Sequence, residues 1–302
     1  MDRVQAMRVF VRIAEANSLV RAAETLSMPA SSVTTILKTL EAELGVQLIQ
    51  RTTRRLSLTA DGEVYLDHAR RVLDDIATVE AGFAGAKDSP TGRLKVDVAM
   101  SIGRQLLIPK LAEFQHRFPN IVLTLNLSDR TADIVEEGLA CAIRTGEVLD
   151  SATLVARPLG RFRWVTGAAP AYLDRTGMPR TLEELAHHDC VGYTSHRTGR
   201  ALDWTFLKNG QTHHHTPAGR LFLNDAEAYV ASGVEGVGIV QAGHYLIEPL
   251  VAAGALVPVL DDYASPSIPV SMVYARHRQL SPVVRTFHAW VSALFKASPA
   301  FR

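Results

Sequence analysis

Two groups of side chains in the first 60 residues have the types and spacing to contact a polyanion. Ser31, Ser32, Thr34, Thr35 and Lys38 lie opposite an apolar repeat, Val33, Leu37, Leu40 and Leu44, that advances at helical spacing. Hydroxyls and a lysine on an exposed helix face can reach base edges and phosphates in a major groove. Arg51, Arg54 and Arg55 follow in residues 47–58, which read as a short β-ribbon. Such arginines can neutralise phosphates or enter a minor groove. A solvated helix face beside a charged hairpin accounts for the same residues, and periodicity alone leaves both readings open.

A second constellation is spread over the remainder of the chain. Ligands in open α/β sheets bind beyond the carboxyl ends of strands. Ser101, Gly103 and Arg104 follow one predicted strand, Ser128 and Asp129 a second, Arg144 and Thr145 a third. Thr166, Tyr193, Asn224, Gly236 and Val237 would face them from another lobe. An arginine and helix N-termini suit a carboxylate, so a small-molecule ligand of that kind is a candidate. Arg144 in a structural ion pair is the alternative.

Other reactive residue types point elsewhere. His213, His214 and His215 alternate faces on a predicted strand and lack recognised ligand spacing, so no metal is expected. Cys141 sits between two alanines in an apolar strand, 49 positions from Cys190, which suits buried packing. The chain has no nucleophile elbow, Walker loop, dinucleotide fingerprint or zinc-protease helix. Gly233, Gly236 and Gly238 have the wrong order for phosphate binding.

The elements that must hold these residues follow from periodicity. Val4, Met7, Val11 and Ala14 mark a first helix, Ser18 caps a second at residues 19–26, and Pro29 opens a third that Gly45 closes. A short helix, a tight turn and a helix with a small-polar face make a helix-turn-helix, and the basic ribbon makes it winged. Residues 59–87 form one long helix, with Thr59 as its cap. Tyr65, Ala69, Val72, Ile76, Val79 and Phe83 make an a/d seam for pairing with a second chain. Packing on the chain's own body is the alternative. After a polar hinge, strands at 94–100, 121–127, 139–143 and 154–158 alternate with helices at 106–118 and 131–137, implying a parallel sheet. A second block has a strand at 162–166, a helix at 181–186, a hairpin at Asn209-Gly210, a strand at 219–223 and a helix from Asp225. A strand at 270–274 and a helix at 282–295 close the chain. The expected class is α/β with an all-α, winged N-terminal module. Its boundaries are 1–59, 60–87 and 88–302, the last split into lobe 1 (92–160 and 267–302) and lobe 2 (161–266).

Charge supports that division. The 302 residues sum to only +1, which taken whole argues against a nucleic-acid partner. Residues 1–60 carry eight bases and five acids, and residues 61–87 three bases and six acids. Neutrality is therefore a cancellation between neighbouring segments. Two cysteines, no apolar run after the first residues and no long apolar stretch suit a reducing, cytoplasmic setting with no membrane partner.

Particular residues add a family. Phe10-Val-Arg-Ile-Ala-Glu-Ala-Asn-Ser18, Ala22-Ala23-Glu24-Thr25-Leu26, Leu44-Gly45-Val46-Gln47-Leu48, Arg51 through Thr59 and Asp61-Gly62 resemble the LysR-type transcriptional regulators. Ser128-Asp129, residues 133–138 and 142–146, residues 170–173, His188-Asp189-Cys190, Asn224-Asp225 and Arg285-Thr286-Phe287 extend the resemblance over the full length. It implies a winged helix-turn-helix, a dimerising linker helix and a two-lobed, periplasmic-binding-protein-like effector domain. It further implies double-stranded DNA as partner at a pseudo-palindromic promoter site, homodimers that pair into homotetramers, a small-molecule co-inducer in place of a cofactor, and RNA polymerase as a candidate partner. The competing reading is a small-molecule-binding α/β protein or an enzyme with no role at DNA. Two departures stand out. Ala30-Ser31 and Thr34-Thr35 replace the glutamine-proline and serine-arginine pairs frequent in the family's recognition helix, and Ala140 replaces a frequent aspartate.

Overall fold

The computed structural model describes residues 1–51, 56–83, 90–130, 133–147, 153–196, 198–276 and 281–302. Two compact units emerge, Met1–Ala86 and Lys87–Arg302. No helix among the described residues is long and apolar enough to cross a membrane.

The first unit runs α1 (Arg3–Ala16), α2 (Leu19–Thr25), α3 (Ala30–Leu44), β1 (Ile49–Arg51), β2 (Leu56–Leu58) and α4 (Ala60–Phe83). Local signals set the boundaries. Asp2 accepts from the Val4 and Gln5 amides at the start of α1, and Asn17 ends it in the left-handed region. Ser18 caps α2, and Gly45 closes α3 at φ +73°. Pro29 is the residue before α3 with extended backbone, one position earlier than expected. The buried stripe of α1 is Ala6, Val9, Phe10 and Ile13, not Val4, Met7, Val11 and Ala14. Helical spacing fits both sets, and the volume of Phe10 decides which turns inward. Val33, Leu37 and Leu40 join that core, while Leu44 at the helix end is exposed.

The paired ribbon is anchored to α3. Glu41 Oε1 accepts from the Leu48 and Ile49 amides at 2.9 and 3.1 Å. Ile49 then pairs with Leu58 and Arg51 with Leu56, antiparallel. Thr59 caps α4, its hydroxyl accepting from the Gly62 amide at 2.9 Å.

The expected seam of α4 needs correction. Ala69 is fully buried inside its own unit, and Tyr65 sets its ring edge-on to Phe10 at 5.3 Å. These two positions serve the chain's own core, because α1 lies against the first half of α4. Val72 is exposed and Ile76 half-buried. The side chains of Val79 and Phe83 lie outside the described residues.

The second unit contains β3 (Gly92–Val98), α5 (Met100–Ile102), α6 (Leu111–Arg117), β4 (Ile121–Leu127), β5 (Cys141–Thr145), β6 (Leu154–Ala168) and α7 (Pro170–Thr176). There follow β7 (Gly192–Tyr193), β8 (Trp204–Lys208), β9 (Gln211–His215), β10 (Phe222–Leu223), α8 (Ala226–Val234), β11 (Val240–Gly243), α9 (His244–Ala252), β12 (Val257–Pro258), β13 (Ser267–Ala275) and α10 (Pro282–Ala297). The main sheet has the order β11-β6-β13-β5-β3-β4, with β12 also on β6. β3 is parallel to β4 and β5, but β13 is antiparallel to β5 and β6, so the sheet is mixed and not parallel throughout.

The two strands expected at 154–158 and 162–166 are one strand, β6. It pairs first with β13 and then with β11 and β12, so it belongs to both lobes. Gly160 in its middle is no turn signal: a Cβ there would lie 2.5 Å from the Phe301 carbonyl oxygen. The helix expected at 131–137 is absent over its described part. Asp133 Oδ1 accepts from the Val135 and Glu136 amides, and residues 134–138 form a turn. The Asn209-Gly210 turn joins β8 to β9, with both residues at positive φ as a type I′ hairpin needs. Only Phe222–Leu223 of the strand expected at 219–223 forms, parallel to β7.

Candidate nucleic-acid interface and ligand cleft

On α3, Ser31, Thr35 and Lys38 are exposed, and Ser32 and Thr34 are half-buried. The hydroxyl protons of Thr34 and Thr35 are donated to the Ala30 and Ser31 carbonyls, each at 2.9 Å. These threonines therefore present oxygen lone pairs and methyl groups outward, which suit base amino groups and the thymine methyl more than base acceptors. Lys38 forms no ion pair among the described residues, in contrast to Arg3, which meets Glu43 at 2.8 Å. Arg51 ends β1, with its side chain outside the described residues, and Arg54 and Arg55 lie outside them altogether. Lys38→Ala is expected to weaken operator binding and to lower the slope of log affinity against log salt by about one. A salt titration by fluorescence anisotropy reads it, and an unchanged slope removes Lys38 from the interface.

The second unit holds a cleft of about 310 Å³. Of the residues expected there, Ser101, Ser128, Asp129, Arg144, Thr145 and Tyr193 line it. The other six do not. Gly103 is a packing glycine whose Cβ would meet the Leu127 side chain at 2.4 Å. Arg104 is paired with Glu227. Thr166 is buried behind the wall, where its hydroxyl accepts from Gln241 Nε2 at 3.2 Å. Asn224 offers its carbonyl to Tyr193. Gly236 takes φ +72° in a turn, and Val237 lines a separate hollow beside Asp189 and Arg220.

Three side-chain contacts join the two lobes across the cleft. Tyr193 Oη donates to Asp129 Oδ2 at 2.8 Å, while Asp129 Oδ1 accepts from the Met100 amide at 2.9 Å. Ser101 Oγ lies 2.8 Å from Tyr245 Oη. The third is the Arg104–Glu227 ion pair. Burial and the Asp129 carboxylate push the Tyr193 phenol far above its ordinary range, and burial pushes Tyr245 up to about 12, so both remain neutral hydroxyls.

Arg144 is engaged already. Its guanidinium meets the fully buried Asp97 at 2.6 Å, so the cation expected to hold a carboxylate is neutralised by the protein itself. Asp97 Oδ1 has no hydrogen-bond partner among the described residues.

Aromatic residues that the strand-end argument passed over dominate the lining: Phe162, Trp164, Trp204, Tyr229 and Tyr245, with Gln241 between them. A signal was present for two of them, since Phe162 and Trp164 share one face of a strand by period-2 alternation. The others come from β8, α8 and α9, and nothing local says which way those elements face.

The remaining candidates are structural. Cys141 and Cys190 are buried free thiols, and burial pushes Cys190 up to about 12, away from thiolate chemistry. His215 packs its ring on Trp204 at 5.7 Å. Among the described residues no group of three or more His, Cys, Asp or Glu side chains gathers as a metal site.

Comparison with known proteins fits this architecture. Residues 4–63 match the family model for the bacterial regulatory helix-turn-helix protein, lysR family, and residues 87–296 match that for the LysR substrate binding domain. The HTH-type transcriptional regulator YhjC of Escherichia coli is 36% identical over 296 residues, covering 98% of this chain and 99% of that one. An HTH-type transcriptional repressor of Pseudomonas aeruginosa is 35% identical over 300 residues, 99% of this chain and 94% of its own. The structure of CrgA, a LysR-type transcriptional regulator from Neisseria meningitidis, superposes with a TM-score of 0.62 at 34% identity, covering 96% of this chain and 97% of that one. These are families of regulators and not of enzymes. With a helix-turn-helix unit, a two-lobed cleft unit and both family models matched in order, the chain belongs to the LysR family of transcriptional regulators.

Proposed function

We propose that this regulator acts in the cytoplasm on double-stranded DNA at a pseudo-palindromic promoter site, and that a small-molecule co-inducer in the cleft changes that contact. One observation carries the reading: Asp129–Tyr193, Ser101–Tyr245 and Arg104–Glu227 bridge two lobes around a hollow of ligand size. A molecule that enters must add to or replace these contacts. It therefore favours one lobe arrangement over another, which is the requirement for coupling two sites. Homodimers pairing into homotetramers would supply two DNA-reading units per half of the site, and RNA polymerase is the natural recipient of the signal. The exposed Val72 and half-buried Ile76 on α4 support pairing through its second half.

A gel shift with the DNA upstream of the chain's own gene tests the reading. A retarded complex at low salt, with two bound units resolved by sedimentation, is the expected result. Failure to retard that DNA or any fragment flanking the gene would overturn it.

A further inference from the structure

The walls of the cleft are aromatic. Phe162, Trp164, Tyr193, Trp204, Tyr229 and Tyr245 come from both lobes. Phe162 stands edge-on to Trp164 at 4.9 Å and to Tyr245 at 5.5 Å, and Tyr193 edge-on to Tyr229 at 5.6 Å. Rings held by one another in this way form rigid, flat-sided walls that suit a planar unsaturated ligand.

The charges of the lining cancel before any ligand enters. Arg144 meets Asp97 at 2.6 Å, and Arg130 meets Glu137 at 2.6 Å. The two acids of the lining, Asp129 and Asp203, are held by neutral donors: Tyr193 and the Met100 amide for the first, the Thr216 hydroxyl for the second. An entering carboxylate would meet two carboxylates and two cations that are both already engaged.

Unsatisfied donors point the other way. Trp204 is 3% exposed and lines the cleft, and its indole N–H has no partner among the described residues. Tyr229 stands beside it, close enough for Trp204 to act on its hydroxyl. That hydroxyl accepts from the Gln241 amide at 2.8 Å, and its own proton has no acceptor among the described residues. Buried donors without acceptors are costly, so two of them beside one hollow call for an oxygen.

We propose that the cleft takes an uncharged, flat aromatic molecule bearing a carbonyl oxygen. The ring lies between the aromatic walls, and the oxygen accepts from Trp204 Nε1 and Tyr229 Oη. This assignment rests on the ligand-responsive reading above. An organic cation would gain from the rings and the two acids but would leave both donors unpaired.

Calorimetry on the full chain with three probes of similar shape tests it: 2-acetonaphthone, 2-naphthoate and N,N,N-trimethyl-2-naphthylammonium. The ketone is expected to bind about tenfold or more tighter than either ion. Trp204→Phe and Tyr229→Phe should each weaken the ketone about 5–10-fold, the effect of one hydrogen bond. Both should leave 2-ethylnaphthalene, which has no acceptor, unchanged. The assignment falls if either ion matches the ketone, if the ketone does not bind, or if the variants weaken ketone and hydrocarbon alike. Ketone binding with this pattern but no change in the operator complex would uphold the assignment and defeat the ligand-responsive reading. A different small molecule that alters the operator complex, with no ketone binding, would do the reverse.

Discussion

Arg144→Met is expected to destabilise the second unit by about 3–5 kcal/mol, the usual cost of removing one partner from a buried ion pair. Asp97 lies on β3, between β4 and β5, and is fully buried. One of its oxygens is held by Arg144 at 2.6 Å and the other has no partner among the described residues. Removing the guanidinium leaves a carboxylate with neither water nor cation. The paired change, Asp97→Leu with Arg144→Met, should recover most of the loss, because replacing both members with apolar groups is often nearly neutral. Trp164, Trp204 and Trp290 all lie in the second unit, so tryptophan fluorescence during urea unfolding reports that unit alone. A single variant as stable as the parent would show that the pair contributes nothing.

Gly62→Ala should disable the first unit. A Cβ at position 62 would sit 2.0 Å from the Leu48 carbonyl oxygen, a backbone atom that cannot rotate away. That oxygen also accepts from the Thr59 amide at 3.0 Å, at the point where the ribbon meets α4. Either the ribbon or the start of α4 must shift, at about 1–3 kcal/mol or more. Operator affinity should fall with it, since the ribbon carries Arg51 and the arginines beyond it. Gly45→Ala is the control: its added Cβ meets nothing within 4 Å, so only the positive φ is penalised, at about 1–2 kcal/mol. The Gly62 variant should lose DNA binding in an anisotropy titration while its fluorescence unfolding curve stays that of the parent. Unimpaired binding would refute the steric reading.

The first of these changes was half visible in advance. Arg144 stood out as either a ligand-holding cation or an ion-pair member, and the sequence could not choose because Asp97 is 47 positions away. Gly62 was visible only as part of a resemblance. Its reason, contact with a carbonyl from the ribbon, exists only after two elements meet.

Local chemistry explains what was legible. Caps at Asp2, Ser18, Gly45 and Thr59, the Asn209-Gly210 hairpin and the polar face of α3 depend on residues within a few positions of one another. The apolar faces of α1 and α4 were harder. Both helices offer more than one stripe at helical spacing, and only their mutual packing through Phe10 and Tyr65 selects between them. The unbroken β6 was missed because a glycine in mid-strand looks like a turn until the Phe301 carbonyl is placed against it.

The sequence by itself determined the two-unit plan, the DNA-reading face and the family, because these rest on spacing within single elements and on motifs that stay contiguous. Tertiary structure alone decided what the cleft can bind. Its rings, its neutralised arginines and its unpaired donors come from elements up to about 150 positions apart, and their sum of charge and hydrogen bonds has no counterpart along the chain.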